Sequence, residues 1–124
     1  MSFMVLVAVD DLLFSSKIRA TAKQLGVDVQ FARTPEEILS QVKALKPALA
    51  IFDLNSAKTD PIATISALKR DPGATGVRAI GFASHVHTDL IAAARAAGAD
   101  DVLPRSAFAG RLAEILQAAH PSRP

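Results

Sequence analysis

The sequence predicts an α/β domain whose five parallel strands form one sheet in the order 2-1-3-4-5. Apolar runs alternate with amphipathic stretches of about 10 to 12 residues, as in repeated strand–helix units. Thr-Pro, Asp-Pro and Gly signals mark where the helices start and stop. The length of 124 residues suits one domain, with a core expected over about residues 4–119. Right-handed crossovers then place helices on both faces of the sheet, giving a three-layer (βα)5 sandwich.

The first repeat begins with a Val-rich apolar run, Phe3–Val9, which predicts a strand. A helical stretch follows, and Gly26 is expected to end it at the C′ position. Its apolar residues recur at spacings of four, four and three and are expected to face the core: Phe14, Ile18, Ala22 and Leu25.

The second repeat pairs an edge strand with a well-marked helix. Val27–Phe31 alternates apolar and polar residues, as expected for a strand with one wetter face. Thr34 is the predicted N-cap of the next helix, Pro35 its first residue, and Glu37 closes a capping box. The predicted buried stripe of this helix is Ile38, Val42 and Leu45.

The third repeat begins with Ala48–Phe52, a continuous apolar run that predicts a strand buried on both faces. Asp60-Pro61 is expected to start the next helix in the same way as Thr34-Pro35, and Asp71-Pro72-Gly73 to end it. The predicted inward residues are Ile62, Ile65 and Leu68.

The fourth repeat is predicted to consist of a strand at Arg78–Ala83 and an Ala-rich helix that Thr88 caps and that runs through Ala97. The fifth repeat is predicted to begin with a short strand at Val102–Leu103. Gly98 ends the Ala-rich helix. The final helix is predicted to start with a Ser106 cap and to turn four apolar residues inward: Phe108, Leu112, Ile115 and Ala119.

Composition argues against several classes of partner. Lys and Arg number 14 against 12 Asp and Glu, with no basic block and no Trp or Tyr, so nucleic-acid binding is not expected. The longest apolar run is too short to span a membrane, so no membrane association is expected. The chain has no Cys, which excludes disulfides and fits a cytoplasmic location.

Three carboxylates are predicted to meet at one end of the sheet. Asp10 and Asp11 follow the first strand and Asp53 follows the third, and these strands are neighbours at the topological switch point. Like charges in one pocket raise one another's pKa unless a cation joins them. Mg²⁺ takes oxygen ligands and needs only one or two carboxylates. Taken singly, each acid is better explained without a site, Asp10 or Asp11 as a cap of the first helix and Asp53 as a loop acid. The three acids together at these strand ends favour a functional site.

The ordered set Val9-Asp10-Asp11, Asp53-Leu54 and Gly98-Ala99-Asp100-Asp101 resembles the receiver domain of two-component response regulators, which has a flavodoxin-like fold. The resemblance runs from about Met4 to Ala119. It implies a signalling module and not an enzyme, with Asp53 accepting a phosphoryl group from a phosphohistidine. It also implies that Asp10, Asp11, Asp53 and the backbone carbonyl of Asn55 bind Mg²⁺, here weakly.

Three positions depart from the family pattern. Ala83 stands where the family has Thr or Ser, Arg105 where it has Lys, and Val102 where it often has Tyr or Phe. In the family the hydroxyl grips the phosphoryl group and the aromatic ring follows, so these departures predict a weak switch. Arg105 could bind a phosphoryl group, pair with Asp53 in place of the metal, or point to solvent. His85 and His87, in the loop after the fourth strand, are expected to be solvated.

Two functions are therefore expected from the resemblance: a working phosphoreceiver, or a phosphorylation-independent pseudo-receiver that acts by protein contacts. A flavodoxin-like enzyme is disfavoured, because Asp10-Asp11-Leu12 would repel a flavin phosphate. The implied partners are a histidine kinase or phosphotransfer protein and a downstream signalling protein. The smooth outer surface at Ala92, Ala93 and Ala96 suggests that a partner or a second copy binds the face formed by the fourth helix, fifth strand and fifth helix.

Overall fold

The computed structural model describes residues 4–74, 76–84 and 88–118. Five parallel strands form a sheet in the order β2-β1-β3-β4-β5, as the sequence predicted. The strands are β1 (Met4–Ala8), β2 (Asp28–Phe31), β3 (Leu49–Asp53), β4 (Arg78–Ala83) and β5 (Asp101–Pro104). The helices are α1 (Leu12–Leu25), α2 (Pro35–Leu45), α3 (Pro61–Arg70), α4 (Thr88–Ala97), α5 (Arg105–Gly110) and α6 (Leu112–Gln117), with a 3-10 turn at Pro72–Ala74. Of the residues assigned above to elements or loops, Phe3, His85, His87 and Ala119 lie outside the described residues.

The sheet divides the core into two layers, because successive side chains of a strand point to opposite faces. In β3, Ala50 and Phe52 pack with α2, α3 and α4. Leu49 and Ile51 pack on the other face with α1, α5 and α6. All five residues of β3 are buried, which confirms the prediction of a central strand covered on both sides. By the same alternation, Asp53 belongs to the face that α1 and α5 cover.

Two of the predicted helix boundaries are confirmed by their hydrogen bonds and backbone angles. Thr34 Oγ1 accepts a hydrogen bond from Glu37 N at 3.2 Å, with Pro35 at the first helical position. The Glu37 carboxylate accepts from Arg33 N at 2.8 Å, one residue earlier than a capping box requires. Gly26 ends α1 with φ of 71°, in the left-handed region that glycine tolerates.

Three local predictions are wrong. Asp60 makes no capping hydrogen bond through its side chain, because its left-handed backbone (φ 43°) differs from the extended backbone that a capping residue needs. Ser106 is not the cap of the last helix. The extended backbone of Pro104 leads directly into α5, which starts at Arg105. Leu45 is 39% exposed, since it is the last residue of α2 and lies beyond the end of the buried stripe.

The last predicted helix is two short helices in the structure. Arg111, with φ of −111° and ψ of 15°, separates α5 from α6. Phe108, Leu112 and Ile115 are nevertheless all buried against the sheet, as the sequence pattern predicted. Because α5 starts immediately after β5, Arg105 lies at the carboxyl end of the sheet.

Candidate functional site

The three predicted acids do meet at the carboxyl ends of β1 and β3. Asp53 is the last residue of β3, and Asp10 and Asp11 lie between β1 and α1. β1 and β3 are hydrogen-bonded neighbours, with Ala8 opposite Phe52. The charges of Asp11 and Asp10 both act on Asp53. Asp10, Asp11 and Asp53 therefore form one acidic pocket.

Asp53 is buried at the base of the acidic pocket, with 4% of its surface exposed. Its Oδ1 accepts a hydrogen bond from Asn55 N at 3.0 Å. Burial raises the pKa of Asp53, and the charges of Asp11 and Asp10 raise it further, while the Asn55 N–H and the Arg105 charge oppose them. The net pKa lies above its usual value, because the charged carboxylate has lost more hydration than its partners replace.

Asp11 combines two roles, since it caps α1 as well as facing the pocket. Its Oδ1 accepts hydrogen bonds from Leu13 N at 2.9 Å and from Phe14 N at 3.2 Å. Its Oδ2 faces Arg105 Nη1 at 3.7 Å. The capping expectation and the pocket expectation are thus both met by one carboxylate. Asp10 is half-buried beside it.

Arg105 lies between the carboxylates of Asp11 and Asp53. Its Nη2 is 3.6 Å from Asp53 Oδ1, and the side chain of Arg105 is 36% exposed. The guanidinium carbon is 5.5 Å from the centroid of the Phe14 ring and 5.4 Å from that of Phe82. Of the three expectations for Arg105, the structure shows the pairing with Asp53 rather than a side chain that points to solvent.

Ala83 and Val102 are both buried in the core layer that contains α4. Neither side chain carries a hydrogen-bonding group, so the polar contacts near the end of β4 come from elsewhere. Asn55 Oδ1 accepts a hydrogen bond from Ser84 N at 3.2 Å and thereby connects the loop after β3 to the end of β4. From the sequence, only the backbone carbonyl of Asn55 was assigned a role, and this side-chain contact was missed. The available signal was a side-chain amide, a good hydrogen-bond acceptor, two residues after Asp53.

The donor chemistry of the pocket fits a weakly held Mg²⁺. Its ligands would be carboxylate oxygens, and Mg²⁺ needs only one or two of these because it keeps several waters. Burial is the main reason why the pKa of Asp53 is raised, and the charges of Asp11 and Asp10 add to it, so a cation at these acids would favour the charged carboxylate. Within residues 4–74, 76–84 and 88–118, no three His, Cys, Asp or Glu side chains form a ready-made ligand group. Over the same residues, no helix is long and apolar enough to cross a membrane.

A family sequence model and several solved structures match most of the chain. The sequence model of the family described as response regulator receiver domain matches residues 5–117. None of the curated protein sequences compared with the chain matches it significantly. Among solved structures, a response regulator from Hahella chejuensis superimposes with a TM-score of 0.84 at 23% identity, covering 96% of each chain.

Two further structures share this fold at lower identity. The chemotaxis response regulator CheY4 of Vibrio cholerae has a TM-score of 0.81 at 17% identity, covering 96% of this chain and 99% of its own. The cyanobacterial phytochrome response regulator RcpA, solved in phosphorylated form, has a TM-score of 0.79 at 17% identity. The match covers 95% of this chain and 91% of RcpA. These identities establish a shared fold, and the family match extends over nearly the whole sequence.

Proposed function

The chain belongs to the family of response regulator receiver domains, and on this premise we propose that it accepts a phosphoryl group on Asp53 and signals through protein contacts. The observation that supports this most strongly is a buried carboxylate at the carboxyl edge of a parallel sheet, where such folds bind ligands. RcpA, which shares the fold, was solved in phosphorylated form.

The proposed reaction is a single displacement at phosphorus. A carboxylate oxygen of Asp53 attacks the phosphoryl group of a phosphohistidine, the O–P bond forms, and the P–N bond breaks. The electron pair of the broken bond stays on the imidazole, which is released, and the product on the protein is an acyl phosphate. The hydrogen bond from Asn55 N and the Arg105 charge both lie at Oδ1, which leaves Oδ2 as the better-placed nucleophile.

The residues around Asp53 are suited to bind an anion and to orient the nucleophile. The guanidinium of Arg105 is permanently charged and can donate two parallel hydrogen bonds to phosphoryl oxygens. Mg²⁺, when bound by Asp11 and Asp53, with Asp10 acting through water and Asn55 through its carbonyl, would offset negative charge on the transferring group. Asp11 is suited to this because α1 holds its carboxylate in place.

The surface around the pocket suits a protein donor, which we infer to be a histidine kinase or a phosphotransfer protein. Leu12 and Leu13 directly follow Asp11 and are 69% and 86% exposed, so they provide apolar contact area beside the pocket. Sequence reasoning did not single out these leucines. Their exposure follows from the start of α1, whose buried residues begin at Ser15.

Output is proposed to pass through the face formed by α4, β5 and α5, to a downstream protein or a second copy. Arg95 Nη2 donates to Val102 O at 3.5 Å and so links α4 to β5. Ala92 and Ala96 are exposed on α4, while Ala93 is half-buried. Ala93 and Ala96 border a groove between α3 and α4, so this part of the smooth surface lies on the α3 side of α4 rather than beside β5.

The direct test is incubation of the protein with a small-molecule phosphodonor and Mg²⁺, followed by intact-mass and peptide mass spectrometry. We expect the mass of one phosphoryl group to be added at Asp53, and Asp53→Asn to abolish it. Asp60→Asn, at an exposed acid after the same strand, is the matched control and should leave the adduct unchanged. An adduct that persists in Asp53→Asn would contradict the assignment of Asp53.

The second candidate function is a pseudo-receiver that binds partners without phosphorylation. Two observations favour it: Ala83 supplies no hydroxyl at the end of β4, and Arg105 already pairs with Asp53. The same mass experiment separates the two functions, because a pseudo-receiver would remain unmodified at phosphodonor concentrations that modify other receiver domains.

A further inference from the structure

We propose that Arg105 is a resident counter-ion of the acidic pocket that competes with Mg²⁺ for Asp11 and Asp53 and thereby sets how weakly the metal binds. The inference rests on the proposed function and concerns the regulation of the same site. It assigns to Arg105 a role toward the metal, in addition to any contact with a phosphoryl group.

The first support is that Arg105 serves both carboxylates with separate nitrogens. Nη1 lies 3.7 Å from Asp11 Oδ2, and Nη2 lies 3.6 Å from Asp53 Oδ1. A guanidinium can span two acids in this way because its nitrogens form a planar fork, whereas the ammonium of a lysine is a single point of charge. Asp11 and Asp53, the two acids that Arg105 contacts, are also the carboxylates that would bind Mg²⁺.

The second support is that the guanidinium packs on two aromatic rings, those of Phe14 and Phe82. Its carbon lies 5.5 and 5.4 Å from the ring centroids of Phe14 and Phe82, within the range of cation–π attraction. Phe82 is fully buried and stacks on Phe108 with ring centroids 4.5 Å apart, and Phe14 packs edge-on against Phe82 at 5.0 Å. These rings therefore hold Arg105 near the acids and reduce the side-chain entropy that Arg105 loses when it pairs with Asp11 and Asp53.

The third support is that both acids are fixed before any cation arrives. Asp11 is held by the two N–H groups it caps, and Asp53 by burial and by the Asn55 N–H. With neither carboxylate able to move far, Mg²⁺ can bind only if the guanidinium moves away or accepts a like charge beside it. Either route weakens metal binding, since the first breaks two ion pairs and the second adds repulsion.

The test is a Mg²⁺ titration of the full chain, followed by backbone amide shifts at residues 9–12 and 52–56. Arg105→Gln removes the charge but keeps a stem over the rings, and Arg105→Ala removes both. Arg111→Gln is the matched control, because it removes one arginine charge from the boundary between α5 and α6, where Arg111 pairs with Glu114 instead. Half-exposed ion pairs are individually modest, so we expect Arg105→Gln to bind Mg²⁺ about three- to thirtyfold more tightly than the wild type.

The outcomes are decisive in both directions. Competition is supported if Arg105→Gln and Arg105→Ala both bind Mg²⁺ more tightly than the wild type and Arg111→Gln stays within about twofold of it. Arg105→Lys should have a Mg²⁺ affinity between those of the wild type and Arg105→Gln. Equal or weaker binding in Arg105→Gln and Arg105→Ala would overturn it, as would the absence of pocket shifts in every variant. The same samples are also incubated with the phosphodonor, and the adduct is measured by mass spectrometry. If Asp53 is phosphorylated but the Arg105 variants bind Mg²⁺ with the same affinity as the wild type, this inference is wrong and the proposed function remains.

Discussion

Asp100, the residue before β5, connects α3, β4 and β5 through one carboxylate oxygen. Its Oδ2 accepts hydrogen bonds from Lys69 Nζ and from Ala79 N, both at 2.7 Å. Lys69 Nζ also donates to Val77 O at 3.1 Å. Replacing Asp100 therefore removes the common acceptor of a lysine on α3 and a backbone N–H on β4.

We expect Asp100→Ala to lower the free energy of unfolding by about 2 kcal/mol. Leaving the N–H of the buried Ala79 without its acceptor costs about 1–3 kcal/mol. The ion pair with Lys69 adds about 0.2–1 kcal/mol, because the two side chains are 24% and 39% exposed and water screens them. Asp100→Asn keeps an acceptor for Ala79 N and should lose only about 1 kcal/mol.

The loss should depend on pH in a defined direction. Burial raises the pKa of Asp100, but the bonds from Lys69 and Ala79 and the nearby Lys69 and Arg78 charges lower it more, so the net pKa lies below its usual value. A depressed pKa means that the folded state holds the charged form more tightly than the unfolded state does. The stabilisation is therefore fully present above the unfolded-state pKa of about 3.8 and is lost as the pH falls through the folded-state value.

The assay is urea unfolding of wild type, Asp100→Ala and Asp100→Asn at pH 7 and again below pH 3.8, with circular dichroism as the probe. Glu114→Ala is the control, since Glu114 forms a more exposed ion pair with Arg111 and should change stability by less than about 0.5 kcal/mol. If Asp100→Ala costs no more than Glu114→Ala, or if its cost is the same at both pH values, the account of the Asp100 network is wrong.

Two further predictions concern the acidic pocket. Asp53→Asn should raise the free energy of unfolding at neutral pH without Mg²⁺, because the raised pKa of Asp53 means that folding disfavours the charged carboxylate. Below about pH 3.8 the acid is neutral in both the folded and the unfolded state, so this gain in stability should vanish. A loss of stability at pH 7, measured by urea unfolding, would contradict this prediction. Beryllofluoride, a phosphoryl mimic, should shift the wild-type amides of residues 88–104 only slightly, since Ala83 lacks the hydroxyl that would favour one state. Ala83→Thr with Arg105→Lys should enlarge that response, and a large wild-type response would show that another contact couples the pocket to α4.

The sequence was sufficient for the fold because the signals it used are local and physically strong. Apolar periodicity, the Thr34 cap and the αL position at Gly26 each determine backbone behaviour within a few residues, and each is confirmed. Right-handed crossovers predicted the parallel sheet, and the order 2-1-3-4-5 is a common one for a doubly wound fold of five strands. The convergence of Asp10, Asp11 and Asp53 followed in turn, since the carboxyl ends of adjacent parallel strands share one edge.

Boundaries that depend on a single backbone angle were less predictable. The Asp60-Pro61 pair has the same pattern as Thr34-Pro35, but Asp60 takes a left-handed backbone that prevents its side chain from capping the helix. Ser106 has the side chain of a capping residue, and the helix starts before it because Pro104 turns the chain directly into α5. Composition cannot distinguish these cases, since the backbone angle depends on how the preceding loop closes.

By itself, the sequence determined the sheet order, the helix faces and the set of acids at one edge of the sheet. Only the tertiary structure decided what Arg105 does, because three positions for its side chain were compatible with the sequence. The choice depends on Phe14 and Phe82, which come from α1 and β4 and meet the start of α5 only in the folded chain. Long charged side chains are placed by the surface they pack on, and that surface is assembled from residues far apart in sequence.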